Sequence, residues 1–465
     1  MRLRWLAIGT AMLVVVTACS GKTVKTESSN TTPPTTAATA SKADCTKPLT
    51  SPEVGVSPTT ITVTVVADTD NPIKPGLFTG SWNAVKAWGD YMNANGGLAC
   101  RKIVVKQANS ALSATEAKNA IAAACTDSLA LVGTTALFVE DTSTLNTCKD
   151  KAGQPTGLPD LAELQTEAAQ QCSPVSFPVL PGTGSCPYSG TGPRTFIVGR
   201  AQYDYYLNKY GASALHGVFV IPKDLPSTIA ATMPIFRAEN KLGIVSDAEF
   251  GESGTATQPS YTQVVQAMKA HNSTYARNGT DYSGTLLMRK EAQAQGVTTV
   301  KVWDCSVQCY DKRLITDAAG ATEGQYVWLN ILPLEDRAAN QELQNLFTYE
   351  AKNGNVPDGF GEVAWLAGEV FARAVNDTLA AHGGDPNSIT RANLLTAVKG
   401  IHDFTGNGMA PTIDIGAKKG SPCLVGLQVQ GTNFVRVDPT APGTFDCDGN
   451  KTVALTIDPV KEYHG

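Results

Sequence analysis

The chain has 465 residues, of which 42% are hydrophobic and only 17% charged, a composition typical of a globular protein rather than a disordered or membrane-spanning one. At roughly 150 residues per domain, this length predicts about three units or two large lobes. The net charge of −5 argues against a nucleic-acid partner, because nucleic-acid-binding proteins usually present a basic face. The five histidines are too far apart in sequence to predict a metal-binding pair.

The N-terminus has the pattern of an export signal. Two arginines precede the apolar run 6–16, which is too short to span a bilayer as a helix. A small residue before Cys19 resembles a bacterial lipobox, which predicts that residues 1–18 are removed and that Cys19 is acylated; an ordinary signal peptide with a chance cysteine is the alternative. Residues 19–54 would then be a lipidated cysteine and a Ser/Thr/Pro-rich tether. We therefore expect a lipid-anchored protein on the extracytoplasmic face of the cell membrane.

Ten further cysteines, an even number in an exported chain, predict disulfide bonds. The spacing of Cys305 and Cys309 could suggest half of a metal clip, but no second pair stands nearby, so a local disulfide is expected. The sequence leaves the full connectivity open. The pairings expected are Cys100–Cys125, Cys148 with Cys172 or Cys186, Cys305–Cys309 and Cys423–Cys447. These leave Cys45 and the other cysteine of the pair 172 and 186 unassigned.

From residue 60 the hydrophobic pattern predicts strands and helices in alternation. Ser113 and Glu116 form a capping box at the start of one helix. Residues 171–193 are rich in Pro, Gly and Ser and are predicted to be an elaborated loop. The predicted strands of this first series are 61–66, 103–106, 130–133 and 195–198, and its predicted helices are 84–92, 113–126 and 140–151.

A second series starts near residue 200 and ends in a predicted hairpin over 424–437, whose turn is Gly431-Thr432-Asn433. Strands separated by helices predict βαβ units and parallel sheets, and two sheets in tandem predict a ligand crevice at the carboxyl ends of the strands. The predicted strands are 216–221, 241–245, 274–276, 300–303 and 325–329, and the predicted helices are 226–239, 261–270, 282–294, 311–319, 340–352, 360–381 and 393–398.

Three segments follow one another along the chain, and their order is characteristic. They are Ile61-Thr-Val-Thr-Val-Val-Ala-Asp68, Gly76-Leu-Phe-Thr-Gly80, and Tyr91-Met-Asn-Ala-Asn-Gly-Gly97 before Arg101-Lys102-Ile103. Together they resemble the opening of type I periplasmic binding proteins, in particular the branch similar to the Leu/Ile/Val-binding protein of ABC uptake systems. Ala99-Cys100 before Arg101 departs from the family pattern.

The resemblance implies an α/β fold of two Rossmann-like lobes with parallel sheets, joined by a three-strand hinge. Lobe 1 would be 55–199 plus 330–402, lobe 2 would be 200–329 plus 403–440, and 441–465 would be a C-terminal tail. Ligand binding would close the lobes.

For an amino-acid ligand, the resemblance places its α-carboxylate near Thr134, Thr135 and Asp160, whose hydroxyls and nearby backbone amides suit an anion. The alternative is that the two threonines only cap the next helix. Asp70, in the loop after the first strand, could attract a cation or a hydroxylated ligand, or could simply form a turn before Asn71-Pro72.

The α-ammonium would meet aromatic and acidic residues of lobe 2, because such a pair attracts an amine by charge and cation–π interaction. Tyr275 and Trp303 could instead pack in the sheet, and Asp304 could cap the Cys305–Cys309 loop. Arg277 departs from this scheme, since a cation disfavours an ammonium there; it could pair with a carboxylate or phosphate of a different ligand, or with Asp304. The candidate residues in this lobe are Tyr275, Arg277, Asn278, Trp303 and Asp304.

The resulting hypothesis is a monomeric substrate-binding lipoprotein that delivers a small polar ligand, amino-acid-like, to the permease of an ABC importer. A membrane-anchored sensor that presents its bound state to a signalling receptor would have the same cleft. An enzyme is disfavoured because nucleophile-elbow, zincin, Ser-x-x-Lys and phosphate-loop motifs are missing, so no catalytic residue or cofactor is expected. A structural cell-wall protein would leave the cleft unexplained.

Overall fold

The computed structural model describes residues 43–71, 74–188, 190–253, 259–448 and 451–464. The predicted signal, Cys19 and most of the predicted tether lie outside the described residues. Within the described ranges, no helix combines the length and the apolar character needed to cross a membrane.

Two four-stranded parallel sheets form the framework, as predicted. The first has the strand order β2-β1-β3-β4 and the second β7-β6-β8-β9. Their inner strands are buried almost throughout, as expected for parallel strands covered on both faces. The first sheet consists of Thr60–Ala67 (β1), Lys102–Asn109 (β2), Ala130–Thr134 (β3) and Asp160–Ala162 (β4), and the second of His216–Pro222 (β6), Val245–Glu252 (β7), Tyr275–Asn278 (β8) and Val302–Asp304 (β9).

Two smaller antiparallel sheets complete the strands of the described chain. The predicted hairpin is confirmed. Its first strand pairs with a third strand, which lies beside the second parallel sheet. The C-terminal segment, predicted as a tail, contains a strand that pairs with the one after the 171–193 loop. These strands are Arg194–Gly199 (β5), Tyr326–Leu329 (β10), Val425–Gln430 (β11), Asn433–Asp438 (β12) and Thr452–Ile457 (β13).

Twelve α-helices cover the sheets of the described chain. The long helix α11 packs against α1 and β3, and it is buried along most of its length. The helices are Thr79–Ala94 (α1), Ala114–Asp127 (α2), Ser143–Thr147 (α3), Ala168–Gln171 (α4), Ala201–Tyr210 (α5), Pro226–Leu242 (α6), Thr262–His271 (α7), Tyr282–Ala294 (α8), Arg313–Thr316 (α9), Gln341–Lys352 (α10), Gly359–Ala381 (α11) and Arg391–Lys399 (α12). Short 3₁₀ turns occur at Ala212–Ala214, Val307–Cys309, Leu334–Ala339, Pro386–Ser388 and Gly406–Gly408.

Three element predictions were wrong. The strand predicted over 241–245 starts only at Val245, because α6 continues to Leu242 and ends at Gly243 in the left-handed conformation (φ 103°). The helix predicted over 140–151 is confined to α3, and the helix predicted over 311–319 is confined to α9. Helices α4 and α5 and strands β4 and β13 were not predicted, since short amphipathic segments carry little periodicity.

The structure has five disulfides, and two of the expected pairings are wrong. Cys45, rather than Cys125, pairs with Cys100, because the N-terminal segment runs beside the start of β2. The end of α2 packs on α3, so Cys125 pairs with Cys148. Cys148 was expected to pair with Cys172 or Cys186 in the 171–193 loop, but these two cysteines pair with each other. The pairs are Cys45–Cys100, Cys125–Cys148, Cys172–Cys186, Cys305–Cys309 and Cys423–Cys447.

An acidic side chain of helix α10 is buried within the described chain. Glu350 of α10 is fully buried, and neither of its carboxylate oxygens has a hydrogen-bond partner among the described residues. Burial raises the pKa of Glu350 to about 8, with a smaller contribution from the charge of Asp358. The folded protein therefore favours the protonated form at neutral pH.

This predicts that Glu350 makes the protein less stable as pH rises. An unfolded glutamate loses its proton near pH 4.3 and the folded one near 8, so stability falls between these values and the penalty is complete above them. At pH 8.5 the variant Glu350→Gln should unfold at a higher urea concentration than the wild type, and its free energy of unfolding should be larger by about 1 kcal/mol or more. This difference in free energy should shrink at pH 5. An equal gap at both pH values would contradict this. Replacing the exposed Glu116 by Gln is the control.

Candidate functional site

A small cavity lies where the carboxyl ends of strands from both parallel sheets converge. Its volume is about 190 Å³, and it receives the loop after β1, the start of α11, and the loops after β8 and β9. Because its wall carries charges of both signs, we call it the mixed-charge cavity. Its lining includes Lys74, Leu77, Asp281, Tyr282, Tyr310, Asp311, Arg313, Asp358 and Phe360.

An ion pair connects the two sheets across this cavity. Lys74, after β1, lies 2.9 Å from the Asp281 carboxylate, and both side chains are largely buried (8% and 15% exposed). Asp281 also caps α8 by accepting from the Gly284 backbone N–H at 3.2 Å and from the Ser283 hydroxyl at 2.7 Å. The capping bonds fix the carboxylate at the point where Lys74 reaches it.

The other charges of the cavity are also held in place. Asp311 accepts from Arg313 Nε at 3.0 Å, and the Arg313 guanidinium lies 4.5 Å from the centroid of the Tyr282 ring. Asp358 caps α11 by accepting from the Gly361 N–H at 2.7 Å, and burial raises the pKa of this carboxyl. A side chain at Gly80 would meet the same carboxyl group at 2.2 Å, so the glycine in the family-like segment makes room for Asp358.

A second, larger cavity of about 800 Å³ shares no lining residue with the first. We call it the large cavity. It is enclosed by the segment after β4, strand β5, helix α5, the ends of β8, β9 and β10, and residues 411–424. Its lining includes Gln171, Val179, Leu180, Ile197, Ile235, Arg277, Ile413, Lys418, Lys419 and Leu424.

Three predicted residues of the second sheet come together in one buried cluster. Asp304 accepts hydrogen bonds from the Tyr275 hydroxyl at 2.7 Å and from Arg277 Nη1. The same Nη1 donates to Glu239 of α6 at 3.1 Å. These contacts agree with the alternatives predicted for these residues, in which Tyr275 packs in the sheet and Arg277 pairs with Asp304. Of the three residues, only Arg277 lines the large cavity.

The cluster contains two acids and one cation. Burial raises the pKa of Glu239 to about 8, although the charge of Arg277 opposes this shift. Glu239 is therefore mostly protonated at neutral pH, which leaves Arg277 and Asp304 as a balanced pair. Tyr206 of α5 donates to Asp304 at 2.6 Å and accepts from the Trp328 indole at 2.8 Å, so the cluster is tied to α5 and β10.

The predicted carboxylate contacts of the first sheet are bonded to one another. Thr134 donates to Asp160 at 2.7 Å, and Asp160 also accepts from Gln170 and Ser176. Both residues are buried, and neither lines either cavity. Thr135 is fully buried, and its hydroxyl has no hydrogen-bond partner among the described residues. Their role as ligand contacts stays a prediction.

The remaining candidates lie apart. Asn278 is buried and bonds to Tyr261 and Thr280. Trp303 packs under the guanidinium of Arg289, which lies 4.3 Å from the centroid of a Trp303 ring. Asp70 is exposed in the loop after β1, where Asn109 bonds to its backbone. No group of three or more His, Cys, Asp or Glu side chains in the described ranges is arranged to hold a metal ion.

Apart from Arg277, the sequence analysis did not identify the charged residues that line the two cavities. Asp281 and Asp358 lie immediately before helices and Lys74 lies in the loop before α1, so these positions are typical of caps and turns. Lys418 lies in a segment with no periodic pattern. For Asp281 and Asp358 the N-cap pattern was a usable signal, because residues that cap helices after parallel strands lie at the crevice edge.

Comparison with known proteins places this geometry in context. Residues 248–437 match the family model described as periplasmic binding protein. A fatty acid ABC transporter substrate-binding protein from Thermomonospora curvata has 14% identity and a TM-score of 0.62, with 88% of this chain and 96% of that one covered. A leucine binding protein from Thermotoga maritima has 13% identity and a TM-score of 0.60, with 86% and 99% covered.

An ABC transporter substrate-binding protein from Aeropyrum pernix has 14% identity and a TM-score of 0.64, with 84% of this chain and 97% of that one covered. No curated protein matches the chain by sequence. At identities this low the solved structures show a shared fold.

Proposed function

We propose, from the type I periplasmic binding protein fold of this chain and the family match in its second half, that it is the substrate-binding component of an ABC importer. It captures a small ligand between two lobes outside the cytoplasm and delivers it to a permease. It acts as a monomeric carrier and not as a catalyst. The acylated Cys19 and the tether keep it at the membrane surface.

The observation that carries this proposal is the Lys74–Asp281 pair. A largely buried ion pair between loops of two separate sheets stabilises the arrangement in which those loops face each other. A ligand in the mixed-charge cavity adds contacts to both sides, and it therefore shifts the population toward the closed arrangement. A permease can then distinguish the loaded protein from the empty one.

The mixed-charge cavity suits an amino-acid-like ligand. Asp281, Asp311 and Asp358 can accept from an ammonium group, while Lys74 and Arg313 can pair with a carboxylate. A volume of about 190 Å³ fits a small zwitterion. The solved relatives are named for different ligands, leucine in one case and a fatty acid in another, so the lining of this chain is the better guide. A sensor with the same cleft remains the alternative.

We predict that leucine or another α-amino acid binds the wild type in calorimetric titration, and that Lys74→Met weakens this binding about tenfold, because one charged hydrogen bond of the closed form is lost. Lys86→Met is the matched control, since Lys86 pairs with Asp90 on the exposed face of α1. It should leave the affinity within about twofold.

If none of the twenty amino acids binds the wild type, the ligand class is wrong. If a ligand binds but Lys74→Met has no more effect than Lys86→Met, the cross-sheet pair does not stabilise the bound state. Reconstitution with the permease then separates transport from sensing, because only transport requires ligand release on ATP hydrolysis.

A further inference from the structure

We infer that the large cavity is a separate binding site for an amphiphilic anion, namely a monocarboxylate with an extended apolar chain. This inference does not rest on the amino-acid proposal, because the two cavities share no lining residue. It also gives a role to the 171–193 loop.

The charged groups of the large cavity have one sign. Three charged side chains line it, Arg277, Lys418 and Lys419, and none of its described lining residues is acidic. The mixed-charge cavity, in contrast, has three aspartates in its wall. An ammonium group in the large cavity would meet no carboxylate on the wall, whereas a carboxylate would meet cationic donors.

Arg277 has donors to spare. It is only 2% exposed, and its recorded hydrogen bonds to Glu239 and Asp304 both use Nη1. Its Nε is buried without a partner among the described residues. A guanidinium has five N–H donors, so the edge that borders the cavity can bind an oxygen. Asp304 balances the charge of Arg277, and the attraction for an anion must therefore come from elsewhere.

Lys418 supplies that attraction. Its ammonium group donates to the backbone carbonyls of Gln171, at 3.2 Å, and Ser173, and none of the ion pairs within the described chain includes it. Burial lowers the pKa of Lys418 to about 8, although the charge of Asp160, which forms no ion pair with Lys418, opposes this shift. A bound carboxylate would provide the counter-ion.

The rest of the wall is uncharged and contains both apolar and polar side chains, and the loop builds much of it. Residues 179–186 form one side and end at the Cys172–Cys186 disulfide. The volume of about 800 Å³ lies within the range of about 300–1,000 Å³ typical of small-molecule sites. It leaves room for an extended hydrocarbon chain beyond the carboxylate. The apolar side chains that would contact this chain are Val179, Leu180, Ile197, Ile235, Ile413 and Leu424.

The test uses the full chain with Cys19→Ser, so that no attached acyl chain competes for the cavity. Dodecanoate is titrated by calorimetry at pH 7 below its micelle concentration, beside dodecanol and dodecylamine. We expect dodecanoate to bind at least about tenfold more tightly than dodecanol, because it gains a charge-assisted hydrogen bond. The amine should bind most weakly.

Variants locate the site. Lys418→Met should weaken dodecanoate binding about tenfold and leave dodecanol unchanged, and Lys418→Arg should restore it. The control is Lys290→Met, because Lys290 is exposed on α8 and lines neither cavity. Ile197 is 49% exposed, so a polar side chain is tolerated there. Ile197→Asp should abolish dodecanoate binding through repulsion, and Ile197→Asn, of the same size without charge, should retain most of it.

The inference is overturned if dodecanoate does not bind, if it binds no better than dodecanol, or if Lys418→Met and Ile197→Asp leave its affinity unchanged. Asp281→Asn should leave dodecanoate binding intact. Leucine titrations of the same variants report on the mixed-charge cavity alone, so failure of one site is distinguishable from failure of the other.

Discussion

Replacing Arg277 with methionine is expected to lower the free energy of unfolding by about 3–5 kcal/mol at pH 7. Arg277 is the cation in contact with both Glu239 and Asp304, and all three side chains are at most 3% exposed. Methionine fills much of the same volume but leaves the Asp304 charge buried without a counter-ion. The loss of the counter-ion, rather than of packing, should dominate the effect.

The pH dependence tests that cause. Without Arg277, the Asp304 carboxylate is buried with no counter-ion, and burial disfavours the charged form of the group. The deficit should therefore grow as pH rises from about 4 and be larger at pH 8 than at pH 5. Urea unfolding of wild type and variant at the two pH values measures it.

The double variant Arg277→Met, Asp304→Asn should recover part of the lost stability, because a neutral amide replaces the unpaired charge. Arg373→Met is the control, since Arg373 pairs with Asp377 and Asp403 at the surface and should cost less than about 1 kcal/mol. A deficit that is the same at pH 5 and pH 8 would show that lost packing, and not charge, is responsible.

Replacing Arg101 with methionine is expected to destabilise the fold by a similar amount, about 3–5 kcal/mol, for a different reason. Arg101 is 1% exposed, and its guanidinium ties the N-terminal segment to the region after α11. It donates to the carbonyls of Ser57 at 2.7 Å, Thr50 at 3.0 Å, Ala99 at 3.0 Å and Pro386 at 2.7 Å, and to the Asn387 side chain at 3.1 Å.

Lysine at position 101 should rescue little of this stability, since one ammonium cannot reach acceptors spread around a planar fork. Limited proteolysis should cleave the Arg101→Met variant within residues 43–59 before any other described segment, because those residues lose their anchor. Lys102→Met, at the exposed neighbouring position, is the control. Wild-type resistance to cleavage in the Arg101→Met variant would contradict the prediction.

The two parallel sheets, most of the helices and the family resemblance could be predicted from the amino-acid sequence. Each of these elements is predicted by a local pattern. Examples are the run of β-branched residues in β1, the capping-box residues at the start of α2 and the apolar stripe along α11. The segment containing Arg101 was recognisable as a motif, but its role was not, because its acceptors come from residues up to 286 positions away.

The tertiary structure alone decided the disulfide pairs, the partners of the candidate residues and the cavities. Asp160 and Thr134 share a hydrogen bond because β3 and β4 are adjacent, and Arg277 meets Glu239 because α6 packs on the second sheet. Lys418 was identified as a candidate only from the structure, because the irregular segment that contains it lines the large cavity. The physical reason is that hydrogen bonds, ion pairs and cavities depend on distances between remote segments, which the local periodicity of a sequence does not record.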